Sequence, residues 1–142
     1  MGIAGCSQCT KADSTAGAAT CNTCQDGFYK DGNVCTPCTG TCATCSGSGA
    51  SACTSCPEGK YLKNSQCIDK TGCTNNHYPD PISRKCISCS AATSEGGIEG
   101  CATCEYDSTK GKPKCLTCSN SGGDKIPRTT LDGTSTCILK ST

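Results

Sequence analysis

The chain has 142 residues, of which 19 are cysteine, while Trp is absent and Phe and Met occur once each. Such a small supply of large apolar side chains excludes the hydrophobic core that a domain of this length normally buries, so covalent cross-links or bound metal must stabilise the fold. Thirteen basic and twelve acidic residues nearly cancel and are scattered along the chain, which argues against a nucleic-acid-binding surface.

Short strands and tight turns are the elements that the sequence predicts. No window keeps an apolar period of 3.6 residues, so little helix is expected. Turns are expected at Asp26-Gly27, Asp31-Gly32, Gly47-Ser48-Gly49, Glu58-Gly59, Gly96-Gly97, Gly122-Gly123 and Asp132-Gly133. Extended runs are expected where an aliphatic residue adjoins a cysteine, at Val34-Cys35, Cys67-Ile68, Cys86-Ile87 and Cys137-Ile138.

The cysteines are arranged in pairs. Sixteen of them form eight Cys-x-x-Cys pairs, whereas Cys67, Cys73 and Cys137 stand outside any pair. This density is typical of a disulfide scaffold in an oxidising, extracellular compartment. The pairs are Cys6/Cys9, Cys21/Cys24, Cys35/Cys38, Cys42/Cys45, Cys53/Cys56, Cys86/Cys89, Cys101/Cys104 and Cys115/Cys118.

Cys-x-x-Cys pairs also occur in zinc sites and in redox-active sites. Adjacent pairs, such as Cys101/Cys104 with Cys115/Cys118, have the spacing of a Cys₄ zinc site. The three cysteines outside the pairs do not fit that scheme, and a single histidine, His77, cannot complete it. A thioredoxin-like redox site needs a βαβ context, which no pair has. The pattern therefore favours disulfides, with structural zinc as the alternative, and no nucleophile is found to accompany His77 in a catalytic site.

A loop with a tyrosine five residues after its first cysteine recurs along the chain. A ring at that distance is expected to fold over the cystine and to supply the nearest equivalent of a core. Units of four cysteines lie between these loops. The loops are Cys24 to Cys35 with Tyr29, Cys56 to Cys67 with Tyr61, Cys73 to Cys86 with Tyr78, and a longer, diverged Cys118 to Cys137 with Gly123 in that place.

The alternation of tyrosine loops with four-cysteine units resembles the furin-like cysteine-rich repeats of growth-factor-receptor type ectodomains. The dense Cys-x-x-Cys pairs with Thr, Ser and Gly between them, as in Cys42-Ala-Thr-Cys-Ser-Gly-Ser-Gly and Cys101-Ala-Thr-Cys-Glu, are most similar to the variant-specific surface proteins of Giardia. The likeness covers nearly the whole chain. The Gly-Gly-Cys-Tyr element and the C-terminal span with a basic tail of that family are missing, so the resemblance implies an ectodomain fragment.

The resemblance also implies how the cysteines pair. In furin-like units of four, the first cysteine bonds to the third and the second to the fourth, and one bond closes each tyrosine loop. No bond then forms inside a Cys-x-x-Cys pair, and Cys9 is left unpaired, with its partner expected upstream of Cys6. The implied bonds are Cys6–Cys21, Cys24–Cys35, Cys38–Cys45, Cys42–Cys53, Cys56–Cys67, Cys73–Cys86, Cys89–Cys104, Cys101–Cys115 and Cys118–Cys137.

The predicted fold is small and disulfide-rich: an elongated rod of furin-like and EGF-like cysteine-rich repeats with short β-hairpins and little helix. The repeat boundaries are expected at 1–37 for a truncated first repeat, 38–72 for a second, and 73–142 for a third, longer region. No segment is long and apolar enough to span a membrane, and no cleavable signal peptide precedes Cys6. A signal and a C-terminal membrane anchor are therefore expected outside these residues.

The function that the resemblance implies is that of a non-enzymatic, extracellular surface antigen. It would form a disulfide-stapled protective coat that presents variable loops in antigenic variation, with no cofactor. Host antibodies are the expected partners, together with a host or parasite surface protein; nucleic acid is not. The alternative is a receptor-type cysteine-rich binding or spacer module. The loop tips expected to make contacts lie at Asp31, Ser48, Asn75, Lys112 and Arg128.

Overall fold

The computed structural model describes residues 3–10, 19–74, 76–121 and 123–141. Within these residues the chain forms fourteen short strands and two single-turn 3₁₀ helices, at Lys70–Gly72 and Thr93–Glu95. The strands are β1 Cys6–Thr10, β2 Thr20–Cys24, β3 Phe28–Asp31, β4 Val34–Pro37, β5 Thr44–Cys45, β6 Cys53–Ser55, β7 Lys60–Lys63, β8 Gln66–Asp69, β9 His77–Asp80, β10 Lys85–Ser88, β11 Cys101–Asp107, β12 Lys112–Cys118, β13 Lys125–Thr129 and β14 Ser135–Leu139.

The chain divides into two compact units, Met1–Cys67 and Ile68–Thr142. Antiparallel hairpins dominate both. In the first unit β1 pairs with β2, β3 with β4 and β5 with β6. In the second unit β9 pairs with β10, β11 with β12 and β13 with β14. The expectation of a small disulfide-rich fold with short hairpins and little helix is confirmed. The three repeat boundaries describe a sequence period rather than a compact unit, and they stay a prediction.

The hairpins form where the local sequence predicts them. Val34, Ile68, Ile87 and Ile138, which adjoin cysteines, all lie in strands. The turn between β7 and β8 has Asn64 and the following serine in the left-handed region, with φ of 49° and 59°. Two successive left-handed residues are the geometry of a type I′ turn, whose twist matches that of a two-residue hairpin.

The first unit has cystine in place of an ordinary core. Within its described residues, every buried apolar side chain belongs to a cysteine, namely Cys21, Cys35, Cys53 and Cys56. The single phenylalanine is half-buried against Gly5, which has φ of 70°, and a Cβ at Gly5 would lie 2.3 Å from the Phe28 Cδ1 atom. Glycine is therefore needed at this position both for its backbone conformation and for the close approach of the ring.

The second unit has a small core in which one tyrosine ring is central. Tyr78 is 2% exposed, its hydroxyl donates to the Gly96 carbonyl at 2.8 Å, and its ring stacks on that of Tyr106 with centroids 6.2 Å apart. Tyr29 and Tyr61, by contrast, are only half-buried. The ring of Tyr78 thus belongs to a core, among buried residues that include Cys89 and Ile98, whereas packing of each ring over the cystine of its own loop stays a prediction. The buried members are Tyr78, Cys89, Ile98, Cys101, Cys104 and Cys115.

We expect Tyr78 to lose its proton at a higher pH than a free tyrosine does. Burial, followed by the charge of Asp80 and the neighbouring Tyr106, raises the pKa of Tyr78 from 10.0 to about 12. Since the raised pKa belongs to the folded state, its contribution to stability is complete below pH ~10 and is lost as the pH rises toward 12. In a titration of tyrosine absorbance at 295 nm, Tyr78→Phe should remove the late-titrating fraction. Tyr61→Phe is the control and should leave the late-titrating fraction in place.

Candidate functional site

Disulfides connect eighteen of the nineteen cysteines, all of which lie in the described residues. They are the same nine pairs that the family resemblance implied, and none closes within a Cys-x-x-Cys pair. The one free thiol is Cys9, which is exposed. The bonds are Cys6–Cys21, Cys24–Cys35, Cys38–Cys45, Cys42–Cys53, Cys56–Cys67, Cys73–Cys86, Cys89–Cys104, Cys101–Cys115 and Cys118–Cys137.

The β11–β12 hairpin shows how a Cys-x-x-Cys pair connects its surroundings. Cys101 lies opposite Cys118, and Cys104 lies opposite Cys115. The disulfide joins Cys101 to Cys115 diagonally, whereas Cys104 and Cys118 reach outward to residues 89 and 137. The two facing pairs of this hairpin therefore contribute one bond within the hairpin and two bonds to the flanking segments. Within the second unit, these bonds tie the hairpin to the segments before and after it.

Hydroxyl groups fill the positions between the cysteines and join the two strands. The Thr103 and Thr117 hydroxyls lie 2.5 Å apart across the β11–β12 hairpin, at an irregularity in the strand register. In the β5–β6 hairpin, the Thr44 hydroxyl lies 2.5 Å from that of Ser55. No structural role was predicted from the sequence for the Thr and Ser of these tracts. The sequence feature that could have indicated this role is the repeated Cys-Ala-Thr-Cys, in which the threonine occupies the same position in two hairpins.

Sulfur atoms gather at three places. The Sγ atoms of Cys6, Cys9 and Cys21 lie within 4.8 Å of one another, and so do those of residues 21, 24 and 35 and those of residues 115, 118 and 137. Zinc binds cysteine as the thiolate, and a disulfide sulfur carries no such charge. In the oxidised chain these clusters therefore mark where disulfides crowd together.

The predicted loop tips are placed as follows. Asp31 is exposed at the end of β3, Ser48 is exposed in the turn between β5 and β6, and Asn75 lies outside the described residues. Lys112 and Arg128 are not at tips. Lys112 is half-buried in β12 opposite Asp107, because that hairpin continues to residue 107 before it turns; Arg128 is exposed within β13.

The second unit has three hairpin turns that begin at, or contain, an aspartate, and two of these turns expose an aliphatic side chain. The Asp80 carboxylate accepts hydrogen bonds from the amides of residues 82 and 83, and that of Asp107 accepts from the amides of residues 109 and 110. The third turn contains Asp132. Ile82 is 79% exposed and Leu131 is 96% exposed. Sequence reasoning missed both residues, although Asp132-Gly133 had marked the turn beside Leu131.

Within the described part of the chain, none of the helices has the length and apolar character needed to cross a membrane.

Comparison with known proteins gives one consistent family. The sequence profile described as Giardia variant-specific surface protein matches residues 3–76. The chain is 49% identical to variant-specific surface protein VSP4A1 of Giardia intestinalis over 142 residues, which cover 99% of this chain and 20% of that protein. It is 33% identical to major surface-labeled trophozoite antigen 417 of the same organism, over 98% of this chain and 16% of that protein.

A more distant similarity reaches outside that organism. The chain is 33% identical to mouse proprotein convertase subtilisin/kexin type 5, over 86% of this chain and 5% of that protein. No solved structure matches. The chain thus spans about a fifth or less of the length of these relatives.

Proposed function

This chain belongs to the variant-specific surface protein family of Giardia, whose members are cell-surface proteins, and on that premise we propose that it is a non-enzymatic segment of a protective coat. In this proposal the amino-acid sequence of its exposed turns differs from one coat protein to another, and host antibodies contact these turns.

The observation that carries the proposal is the separation of the covalent skeleton from the exposed turns. Among the described residues of the first unit, the buried apolar side chains are all half-cystines. A disulfide stabilises a fold chiefly by restricting the unfolded chain, so it makes few demands on the side chains between the cysteines. Residues such as Asp31 and Ser48 are exposed and are not part of that core. They are therefore free to vary while the backbone keeps its course.

We also propose that the chain has no catalytic role and needs no metal. Eighteen cysteines are held in disulfides and lack the thiolate that nucleophilic catalysis or zinc binding requires. The single imidazole, His77, lies in β9, with its Nδ1 atom 2.8 Å from the side-chain oxygen of the adjacent Asn76.

The test compares the oxidised chain with the reduced and alkylated chain. Antibodies from infections with parasites that display this chain should bind the oxidised form, and reduction should abolish most of that binding because the turns lose their positions. The oxidised form should also survive pepsin at acidic pH, under conditions that degrade the alkylated form within minutes. Equal antibody binding to both forms, or equal digestion, would contradict the proposal.

A further inference from the structure

The turn between β13 and β14 presents the most exposed large apolar side chain of the described residues. Leu131 is 96% exposed. A leucine in such a position gains nothing from folding, since it buries almost no surface. Isolated exposed apolar residues are common on proteins, so exposure alone carries little meaning. What distinguishes Leu131 is that its turn is fixed both by its own hydrogen bonds and by two lysines of the neighbouring hairpin.

Hydrogen bonds within the turn fix its backbone. The Thr130 amide donates to the Thr134 carbonyl at 2.9 Å, and the Gly133 amide donates to the Thr130 carbonyl at 2.9 Å. The Asp132 carboxylate accepts from the Thr130 hydroxyl and, at 2.7 Å, from the Thr134 hydroxyl. These bonds, with a further one from Lys112, hold the pKa of Asp132 well below its usual range. The turn therefore keeps its carboxylate charged in acidic surroundings.

The neighbouring hairpin β11–β12 braces the same turn from outside. The Lys110 ammonium donates to the Leu131 carbonyl at 3.0 Å, and the Lys112 ammonium lies 2.9 Å from the Asp132 carboxylate and 3.0 Å from the Thr134 hydroxyl. Gly133 is buried with φ of 87°, and a Cβ there would lie 2.6 Å from that of Lys110. Two lysines thus hold the turn, one at the Leu131 carbonyl and the other at the side chains of Asp132 and Thr134.

The charge next to Leu131 is positive. Arg128 is exposed and lines the same open surface depression as residues 129–132. The carboxylate of that depression, Asp132, is already paired with Lys112. A partner that covers this surface would need an apolar pocket for the leucine and an acidic group for the guanidinium. Antibody combining sites, rich in tyrosine and tryptophan, supply such pockets.

We propose that residues 130–134, with Leu131 at their apex and Arg128 beside it, form the dominant conformational epitope of the second unit. This inference rests on the proposed function, since it names where on the coat an antibody binds. A preorganised turn loses little conformational entropy when it is bound, which is why a braced apolar tip makes a better anchor than a loose one. The antibody pocket encloses Leu131, and an acidic side chain at its edge pairs with Arg128.

The experiment measures binding of monoclonal antibodies cloned from infected animals and selected only for binding the folded chain. Leu131→Ser should weaken the binding of most antibody clones directed to the second unit by at least about thirtyfold. This is the loss of affinity expected when a hot-spot residue is removed. Ile82→Ser is the matched control, because Ile82 is also highly exposed at a hairpin turn of this unit. It should change the binding of these clones by less than about threefold.

A second pair of variants tests the brace without touching Leu131. Lys112→Ala removes the bonds to the turn, whereas Lys114→Ala on the same strand removes an ion pair with Glu105 at 3.4 Å; both lysine side chains are 43% exposed. Only Lys112→Ala should weaken the binding of the antibody clones, by about tenfold. Clones that respond equally to Leu131→Ser and Ile82→Ser would overturn this inference alone. If no antibody from infected animals binds the folded chain, the proposed function fails as well.

Discussion

Removal of the Cys89–Cys104 disulfide by the double substitution Cys89→Ala/Cys104→Ala is expected to unfold the second unit at moderate temperature. Both half-cystines are buried in the core with Tyr78 and Ile98. A bond that closes a loop of this length contributes on the order of 3 kcal/mol, and the alanines leave a cavity among the core residues. For a unit of this size we expect the melting temperature to fall by roughly 10–25 °C. Calorimetry of the oxidised variant measures this melting temperature.

The matched control removes Cys38–Cys45 in the first unit. Those two cysteines are half-buried and their sequence separation is 7, compared with 15 for Cys89–Cys104. Because a shorter loop restricts the unfolded chain less and no packed core is opened, the loss of stability should be smaller. Equal losses of stability in the two variants would show that loop entropy and core packing do not decide which disulfides stabilise the fold most. A non-reducing peptide map must first confirm that the remaining bonds are unchanged.

The local elements could be predicted because cysteine spacing and turn residues are local signals. Val34-Cys35 and Cys86-Ile87 lie in strands as expected, since an aliphatic residue beside a half-cystine fits a short, half-buried strand. The disulfide pairs followed from the family resemblance; the spacing alone leaves many alternatives open.

The residues that contact one another across hairpins could not be predicted. The stacking of Tyr78 on Tyr106 and the contact of Lys112 with Asp132 join segments 28 and 20 residues apart, and no local pattern encodes them. Lys112 was assigned to a loop tip because it lies in the lysine-rich tract Lys110-Gly-Lys-Pro-Lys114. The hydrogen bonds of Asp107 instead close the turn earlier, at residues 108–111. Long-range contacts of this kind decide which turns are rigid, and hence which are useful as binding surfaces.

We expect the thiol of Cys9 to exchange with the neighbouring disulfide. Its Sγ atom lies 2.8 Å from the Cys6 Sγ atom of the Cys6–Cys21 bond, and Cys9 lies directly opposite Cys21 across the β1–β2 hairpin. Attack by the Cys9 thiolate on either sulfur forms one S–S bond, breaks another and releases a thiolate, so no external oxidant is needed. A released Cys21 thiolate would face the Cys35 sulfur, which lies 3.2 Å away.

The measurement follows over time which cysteine carries the free thiol, and the alkylating reagent is the label that marks it. The chain is held at pH 8.5 or pH 5, quenched with acid, alkylated and mapped without reduction. At pH 8.5 the label should move from Cys9 to Cys6 or Cys21 and later to Cys24, whereas at pH 5 it should stay on Cys9, because the attacking thiolate is more abundant at higher pH. Cys9→Ser should keep all nine bonds fixed under both conditions. Label that remains on Cys9 at pH 8.5, or bonds that rearrange in Cys9→Ser, would show that proximity in this hairpin does not produce exchange.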